Sequence, residues 1–319
     1  METGIYIAAL PAGPGRARLN RDTSMTTEIT ILSGKGGSGK TTVTGALAAL
    51  GKNAVLIDTD VDAPDLHLLL QPKIMRSTAF YGSKKAKIIA ADCIHCGLCV
   101  GACRFDAIAP GEPPQISPIF CEGCGMCHRI CPMEAIEFVE ARTGEWYVSD
   151  TAYGPMVHAR LDPAQGNSGK LVSLVREEGR KIAAVNQAEF ILTDGPPGIG
   201  CPVIASLAGT GFVLVVTEPS PSGEHDLRRL TELLALFKIP AGLCLNKWDL
   251  NPEMAARMEA AGRDLGMHAA GRIRFDLTTV EAQLQGRTVM DYPTSPAAAD
   301  IGLLWRNMDN FLRKNDSGG

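Results

Sequence analysis

The chain has 319 residues, of which 45% are hydrophobic and 21% are charged, and its formal net charge is −4. The basic residues form no block, which excludes the electrostatic footprint of a nucleic-acid-binding protein, and no apolar run approaches about 18 residues, which excludes stable membrane insertion. Ten cysteines in so large a chain, eight of them tightly grouped, indicate metal binding in a reducing cytoplasm rather than disulfide bonds.

The first 25 residues are rich in proline and glycine and carry no pattern of a secretory signal. We expect residues 1–25 to be a disordered tail, or to precede the true start at Met25. Residues 314–319 are expected to form a second, short tail.

A strand, a glycine-rich turn and a helix follow one another from residue 28 to residue 50. Residues 28–32 alternate and include β-branched side chains, and apolar residues recur at helical spacing from Thr41 to Leu50. The turn fits the phosphate-loop pattern G-x-x-x-x-G-K-[ST], in which Lys40 neutralises phosphate oxygens and the Thr41 hydroxyl holds Mg²⁺. The predicted nucleotide-binding residues of this loop are Gly34, Lys35, Gly36, Gly37, Ser38, Gly39, Lys40, Thr41 and Thr42.

Lys35, at the first variable position of the pattern, makes the loop resemble the deviant Walker A ATPases of the MinD and Mrp type, relatives of ParA and the nitrogenase iron protein. The resemblance implies ATP as the nucleotide and a homodimer. In that dimer Lys35 would reach the nucleotide of the partner subunit, as an arginine finger does. It also implies catalytic roles for Lys35 and Lys40. The alternative is that Lys35 is a solvated loop lysine.

Three aspartates at alternate positions follow the apolar run at residues 54–57. Such a run is typical of a buried parallel strand, and the carboxyl end of such a strand faces the ligand crevice of an α/β sheet. The family resemblance implies that Asp60 positions the attacking water and that Asp58 supports the Mg²⁺ site. A polar turn is the alternative, but it explains one aspartate more easily than three.

A cysteine motif occurs twice between residues 84 and 142. The pattern C-x₂-C-x₂-C-x₃-C begins at Cys93 and recurs 28 residues later at Cys121. The repeat resembles a bacterial ferredoxin with two [4Fe-4S] clusters, in which each copy supplies three ligands to one cluster and one ligand to the other. One cluster would therefore be held by Cys93, Cys96, Cys99 and Cys131. The other would be held by Cys121, Cys124, Cys127 and Cys103.

Zinc is the competing metal for these cysteines, but zinc sites usually pair two C-x₂-C knuckles across a longer gap. The first copy departs from the ferredoxin pattern, because Arg104 stands where a proline usually follows the fourth cysteine. The loop of the first copy can therefore differ from that of a ferredoxin.

The nucleotide fold is expected to resume with a strand at residues 156–161, a helix capped by Ser168 and a strand at residues 190–193. The following Asp194-Gly195-Pro196-Pro197-Gly198 resembles the Walker B motif and second switch of the same family. This implies that Asp194 holds a Mg²⁺-bound water. A tight turn with a capping aspartate is the alternative.

Asn246 and Asp249 belong to an N-K-x-D motif after the predicted strand at residues 242–245. The family resemblance implies that Asn246 hydrogen-bonds the base. The same motif occurs in GTPases, where its aspartate selects guanine. The motif alone therefore leaves GTP open, whereas the deviant phosphate loop favours ATP.

Two cysteines lie outside the repeat. Cys244 falls within a buried strand pattern and is expected in the core. Cys201, seven residues after Asp194, is expected to pack against the following helix. The functional alternative is that two Cys201 thiolates, one from each subunit, hold a transferable soft metal ion.

An apolar stripe at helical spacing lies near the C terminus. Acidic residues offset the basic ones there, so we expect packing against the ATPase core rather than the membrane contact of a basic amphipathic helix. The stripe consists of Ile301, Leu304, Trp305, Met308, Phe311 and Leu312.

The predicted fold class is α/β, with a doubly wound, mostly parallel sheet. The resemblance implies a MinD-like P-loop ATPase domain formed by residues 26–83 and 143–313. A small α+β domain like a bacterial ferredoxin, residues 84–142, would interrupt it after the second strand and its short helix.

Three functions are compatible with this architecture. The leading hypothesis, implied by Mrp-like relatives, is a dimeric ATPase that assembles, carries or inserts a metal or iron–sulfur cofactor, with an acceptor or scaffold protein as its partner. The second is an ATP-gated electron donor, in which nucleotide-driven closure of the dimer brings the ferredoxin domain to an acceptor. This mechanism resembles that of the nitrogenase iron protein. The third is a MinD-like positioning protein, against which the cysteine repeat argues because a positioning switch needs no redox groups.

Overall fold

The computed structural model describes residues 26–163, 165–166 and 168–316. The predicted tail at residues 1–25 and residues 317–319 of the second predicted tail lie outside the described residues, whereas residues 314–316, also predicted as tail, belong to the last helix. The strands are β1 (Thr27–Ser33), β2 (Ala54–Asp58), β3 (Lys73–Phe80), β4 (Ser83–Ile88), β5 (Ile108–Ala109), β6 (Gln115–Ile116), β7 (Ile136–Ala141), β8 (Gly144–Thr151), β9 (Gly154–Leu161), β10 (Phe190–Pro197), β11 (Phe212–Thr217), β12 (Ala241–Asn246) and β13 (His268–Ile273). The helices are α1 (Lys40–Leu50), α2 (Leu66–Leu70), α3 (Leu98–Ala102), α4 (Met126–Ile130), α5 (Ser168–Asn186), α6 (Cys201–Leu207), α7 (Pro221–Phe237), α8 (Pro252–Asp264), α9 (Thr278–Leu284) and α10 (Pro296–Asp316).

The central element is a nine-stranded sheet with the spatial order β13-β12-β11-β1-β10-β2-β9-β8-β3. From β13 to β9 every pair of neighbours is parallel, which confirms the prediction of a mostly parallel sheet. The carboxyl ends of these strands therefore meet at one edge. This edge is where ligands bind in open α/β sheets.

Helices cover both faces of the sheet, and alternate strand residues face opposite cores. Ile29 and Ile31 of β1 belong to a core covered by α1 and α10. Leu32 belongs to a core on the opposite face, covered by α6, α7 and α8. On that same face α5 covers Val55 and Ile57 of β2. Because both faces are buried, the strands are continuous apolar runs in the sequence.

The C-terminal stripe packs as predicted. Ile301, Leu304 and Met308 are buried in the core beside α1. The partly buried members of the stripe that pack against the same core are Trp305, Phe311 and Leu312. In the described part of the chain, no helix is both long enough and apolar enough to cross a membrane.

An antiparallel pair of strands, β3 and β8, extends the sheet beyond β9, and the sequence did not predict it. Seven of the eight residues of β3 are exposed, so no alternation or apolar run marks this strand. The cysteine-rich segment was predicted at residues 84–142, after the second strand and its short helix. It leaves the sheet after β3, which ends at Phe80, and returns at β8, which begins at Gly144, so the unpredicted strand β3 lies between α2 and this segment.

Residues 83–141 form a small lobe at this position, with β4 paired to β7 and β5 paired to β6. The sequence repeat is also a repeat of local structure, because α3 begins after Gly97 (φ 73°) and α4 after Gly125 (φ 81°). The lobe has its own small core, which consists of Ala86, Cys99, Ala107, Ile108, Cys121, Cys127 and Ile136. Its likeness to a ferredoxin stays a prediction.

Candidate functional site

The glycine-rich turn lies at the carboxyl edge of the sheet, between the end of β1 at Ser33 and the start of α1 at Lys40. Gly39 has a φ of 90°, in the left-handed region that favours glycine. A Cβ at Gly39 would also lie 2.2 Å from Nδ2 of Asn246, which donates a hydrogen bond to the Ser38 carbonyl at 2.8 Å. The turn therefore needs glycine both for its backbone conformation and for the close approach of β12.

Lys40, Thr41 and Asp194 meet below this turn, as the sequence predicts for a phosphate loop and a Walker B aspartate. Lys40 Nζ lies 2.8 Å from Asp194 Oδ1. The hydroxyls of Thr41 and Thr44 donate to the same carboxylate at 2.7 Å and 2.8 Å. Asp194 is fully buried, and Lys40 is 6% exposed. Nucleotide binding therefore has to redistribute an existing buried network.

Asp58 and Asp60 lie at the end of β2, the strand next to Asp194. Asp58 is fully buried, and its carboxylate accepts hydrogen bonds from the backbone N–H groups of Asp60 at 3.0 Å and Leu66 at 3.3 Å. Asp60 lines the cleft above the phosphate loop and accepts from the Ala63 N–H at 3.3 Å. Asp58 is thus fixed within the turn, whereas Asp60 faces the cleft.

Burial and mutual charge control the ionisation of these groups. Burial, and then the charge of Asp194, raise the pKa of Asp58 well above its usual range. Burial also raises the pKa of Asp60 to about 6, against the opposing effect of Lys40. Burial lowers the pKa of Lys40, but the Asp194 carboxylate together with Asp58 and Asp60 outweighs it, so this pKa is raised overall. A carboxylate with a pKa near working pH suits the activation of water.

The cleft has about 1170 Å³ of empty space, part of it open to solvent. One wall is the phosphate loop with the start of α1. The opposite wall includes Asn246, Lys247 and residues 273–276 at the carboxyl end of β13, a segment that sequence analysis missed. Residues at the carboxyl end of a parallel strand are expected to border the ligand site. Gly271 and Arg272 interrupt the apolar run of β13, however, so the strand itself was not recognised.

The residues of the N-K-x-D motif lie in two different surroundings. Asn246 and Lys247 line the cleft, and Lys247 Nζ donates to the Gly37 carbonyl at 3.4 Å. Asp249 is exposed and accepts from the Phe275 N–H at 2.7 Å. It is not among the described residues that line the cleft. Asp249 therefore anchors the missed segment, and its role in nucleotide binding stays a prediction.

Lys35 contacts a loop of its own chain. Its Nζ lies 2.7 Å from Glu218 Oε1 and donates to the hydroxyls of Ser222 at 3.0 Å and Ser220 at 3.4 Å. Glu218 Oε2 lies 3.3 Å from Lys247 Nζ. The predicted contact of Lys35 with a partner's nucleotide requires another side-chain conformation.

The cysteine repeat surrounds two cavities. The first has about 360 Å³ of empty space, part of it open to solvent, and its cysteines are Cys93, Cys96, Cys99 and Cys131. The second has about 340 Å³, and its cysteines are Cys103, Cys121, Cys124 and Cys127. Each cavity thus brings together three cysteines of one copy and the fourth cysteine of the other copy. This is the grouping that the ferredoxin resemblance implied.

The remaining cavity walls are mostly apolar, with Ile94 and Met133 in the first cavity and Phe105 and Met126 in the second. Cys131 Sγ accepts a hydrogen bond from the Ala135 N–H at 3.3 Å. Among the described residues, no three or more His, Cys, Asp or Glu side chains are close enough to hold a metal ion. The cysteines border the cavities without converging on one point, and the cluster assignment stays a prediction.

The two cysteines outside the repeat differ in exposure. Cys244 is fully buried in the core, as predicted, and burial raises the pKa of its thiol. Cys201 is exposed at the start of α6, so the expectation that it packs against this helix is wrong. A lone exposed thiol carries no metal assignment by itself.

A family model described as the CobQ/CobB/MinD/ParA nucleotide binding domain matches residues 29–289. Two proteins of Methanocaldococcus jannaschii, each described as uncharacterized, are similar in sequence. One is 35% identical over 227 residues, which cover 70% of this chain and 79% of that protein. The other is 23% identical over 272 residues, which cover 83% and 91%.

The fold is similar to solved structures of the septum site-determining protein MinD. The Mg-ADP complex of MinD from Pyrococcus horikoshii matches with a TM-score of 0.56 and 20% identity over 90% of this chain and 98% of that chain. A MinC:MinD complex from Aquifex aeolicus matches with a TM-score of 0.54 and 20% identity over 89% and 96%. At this level of identity the likeness concerns the fold.

Proposed function

The chain belongs to the CobQ/CobB/MinD/ParA nucleotide-binding family, and on that premise we propose that it is a dimeric, Mg²⁺-dependent ATPase coupled to two [4Fe-4S] clusters. We further propose that it assembles, carries or inserts a metal or iron–sulfur cofactor for an acceptor or scaffold protein. The single observation that carries the proposal is the cysteine grouping, four around each of two cavities, in the same chain as a phosphate-loop site.

The hydrolytic site uses charges that the fold already places together. Lys40 lies 2.8 Å from the Asp194 carboxylate. When nucleotide binds, Lys40 leaves this carboxylate and binds the phosphate oxygens. Thr41, Asp58 and Asp194 would hold Mg²⁺, which neutralises phosphate charge when bound. Asp60, with its pKa raised to about 6 by burial, is mostly ionised at neutral pH. It accepts a hydrogen bond from the attacking water and orients it toward the γ-phosphate.

The cysteine lobe fits iron–sulfur ligation on the chemistry of its donors. Each cavity offers four thiols among apolar walls, and thiolate sulfur is the ligand that iron–sulfur clusters use. Three of the eight cysteines, Cys99, Cys121 and Cys127, are buried in the core of the lobe. When bound, clusters of this type supply one-electron transfer. The buried thiols would anchor them, while Cys96 and Cys124 are exposed and face solvent or a partner.

Metal analysis tests the cluster half of the proposal. Anaerobically prepared protein should hold about eight irons and eight sulfides per chain. Joint replacement of Cys96 and Cys124 by serine should remove most of this iron without changing ATP affinity. Cys201→Ser is the matched control, because Cys201 is an exposed cysteine outside the lobe, and it should keep the full iron content. Stoichiometric zinc in place of iron contradicts the proposal.

A second candidate is an ATP-gated electron donor. The observation that favours it is the completeness of each cysteine set, because four thiols per cavity retain a bound group more firmly than an open site does. The candidates differ in what leaves the protein. Cofactor carriage requires iron or another metal to depart, whereas electron donation requires the metal to stay.

A further inference from the structure

Glu218 lies between two lysines beside the phosphate loop. It directly follows β11, which lies between β1 and β12 in the sheet. Its carboxylate therefore reaches both Lys35, after β1, at 2.7 Å and Lys247, after β12, at 3.3 Å. The side chains of Lys35 and Glu218 are 34% and 24% exposed. The hydrogen bond from Lys35 is the main reason that the pKa of Glu218 is lowered.

Within the part of the chain that the structure describes, the Lys35 ammonium has three acceptors, and all belong to one short segment, residues 218–222. Besides Glu218 they are the hydroxyls of Ser220 and Ser222. Ser220 also accepts the Gly223 N–H at 3.1 Å as the N-cap of α7, so the segment is tied to a helix. An ammonium has three donors, and each of these has an acceptor here. Lys35 therefore has to exchange these bonds before it can bind a nucleotide on another subunit.

We propose that Glu218, with Ser220 and Ser222, holds Lys35 within its own subunit and so opposes dimer formation until the partner carries a triphosphate. The inference rests on the proposed function, because it takes Lys35 to act in the partner's site. Phosphate oxygens carry more charge than one carboxylate and form strong bonds with an ammonium, so a partner with bound ATP can displace Glu218. Glu218 is a positioning residue, since it acts through Lys35.

Sedimentation velocity on the full chain tests the inference, with Mg²⁺ and a non-hydrolysable ATP analogue. Glu218→Gln should lower the protein concentration at half-dimerisation about fivefold, which corresponds to about 1 kcal/mol. Ser222→Ala should lower it about twofold, because the Ser222 hydroxyl is an uncharged acceptor and holds the ammonium less strongly than the Glu218 carboxylate does. Glu224→Gln is the matched control, because Glu224 pairs with Arg228 and Arg257 on the surface, and it should behave as the wild type.

Each outcome separates the inference from the proposed function. A wild-type protein that dimerises with the analogue, together with an unshifted or weaker Glu218→Gln dimer, overturns the inference alone. A shift in Glu218→Gln without any shift in Ser222→Ala assigns the effect to Lys247 and also overturns it. A wild-type protein that stays monomeric with the analogue overturns the dimeric ATPase and this inference together.

Discussion

Lys40 and Asp194 form an ion pair beneath the phosphate loop, with Nζ and Oδ1 2.8 Å apart and side-chain exposures of 7% and 1%. A buried pair of this kind is weak evidence for stability, but removal of one partner leaves an uncompensated charge. Lys40 is also the residue expected to bind phosphate, and Asp194 is the residue expected to hold Mg²⁺. Nucleotide binding therefore exchanges their partners without leaving either charge alone.

Lys40→Ala should reduce ATP affinity at least a hundredfold, because the variant loses the cation that binds phosphate. It should also lower the free energy of unfolding by about 3 kcal/mol, because Asp194 stays buried without a cation. Titration with a fluorescent ATP analogue and urea unfolding measure the two effects. Lys52→Ala, an exposed lysine just after α1, is the control and should change neither. Normal affinity in Lys40→Ala would remove the phosphate-binding assignment.

Asp60→Ala should bind ATP with nearly normal affinity but hydrolyse it about a hundredfold more slowly, because a residue that orients water acts mainly in the transition state. The measurement is single-turnover release of phosphate at saturating ATP. Asp62→Ala is a matched control, since Asp62 is an exposed aspartate of the same loop, and it should hydrolyse at the wild-type rate. Turnover by Asp60→Ala near that rate rejects the assignment.

The raised pKa of Asp60 predicts two pH effects. If its carboxylate is required, kcat/KM should fall below about pH 6, the value to which burial raises this pKa. Ionised Asp60 also destabilises the fold, because its folded-state pKa lies above the usual 3.8. That destabilisation is complete above about pH 6 and disappears toward pH 3.8. Asp60→Asn should therefore raise the free energy of unfolding at pH 7 and hardly change it at pH 4; equal changes at both values contradict the raised pKa.

The sequence predicted those parts of the site that lie at the ends of apolar strands. Asp58 and Asp194 follow continuous apolar runs, and both lie fully buried beside the phosphate loop. The second wall of the cleft, around Arg274 and Asp276, was missed because glycine and arginine interrupt β13. β3 was missed because it is exposed on both faces, and a strand that buries neither face leaves no hydrophobic period in the sequence.

Contacts between distant residues were beyond sequence reasoning for a different reason. The bond between Lys35 and Glu218 joins residues more than 180 positions apart, and no periodicity of either segment specifies it. Cys201 was expected to be buried because free cysteine commonly is, but the start of α6 leaves it exposed. Composition predicts average behaviour, whereas exposure depends on where the helix meets its neighbours.

Lys35→Ala should reduce hydrolysis by two orders of magnitude or more while changing ATP affinity much less, because a group that acts in trans stabilises the transition state in the partner's site. A mixture of Lys35→Ala and Asp60→Ala subunits should recover part of the activity, since one of the two composite sites keeps both groups. Steady-state turnover of the mixture, with heterodimers verified by differential tags, is the measurement. No recovery in verified heterodimers indicates that Lys35 acts only within its own subunit.

The central claim, that the nucleotide site controls the cysteine lobe, is tested most directly by the fate of iron during ATP turnover. Anaerobic protein, chemically reduced beforehand and freed of excess reductant, is mixed with ATP, Mg²⁺ and either a ferrous-iron chelator or a one-electron acceptor dye, and Lys40→Ala serves as the control with impaired nucleotide binding. We predict that ATP accelerates iron transfer to the chelator several-fold in the wild type and not in Lys40→Ala. ATP-dependent reduction of the dye with all iron retained would assign electron donation instead of carriage. Identical rates of both reactions with and without ATP would contradict the coupling itself.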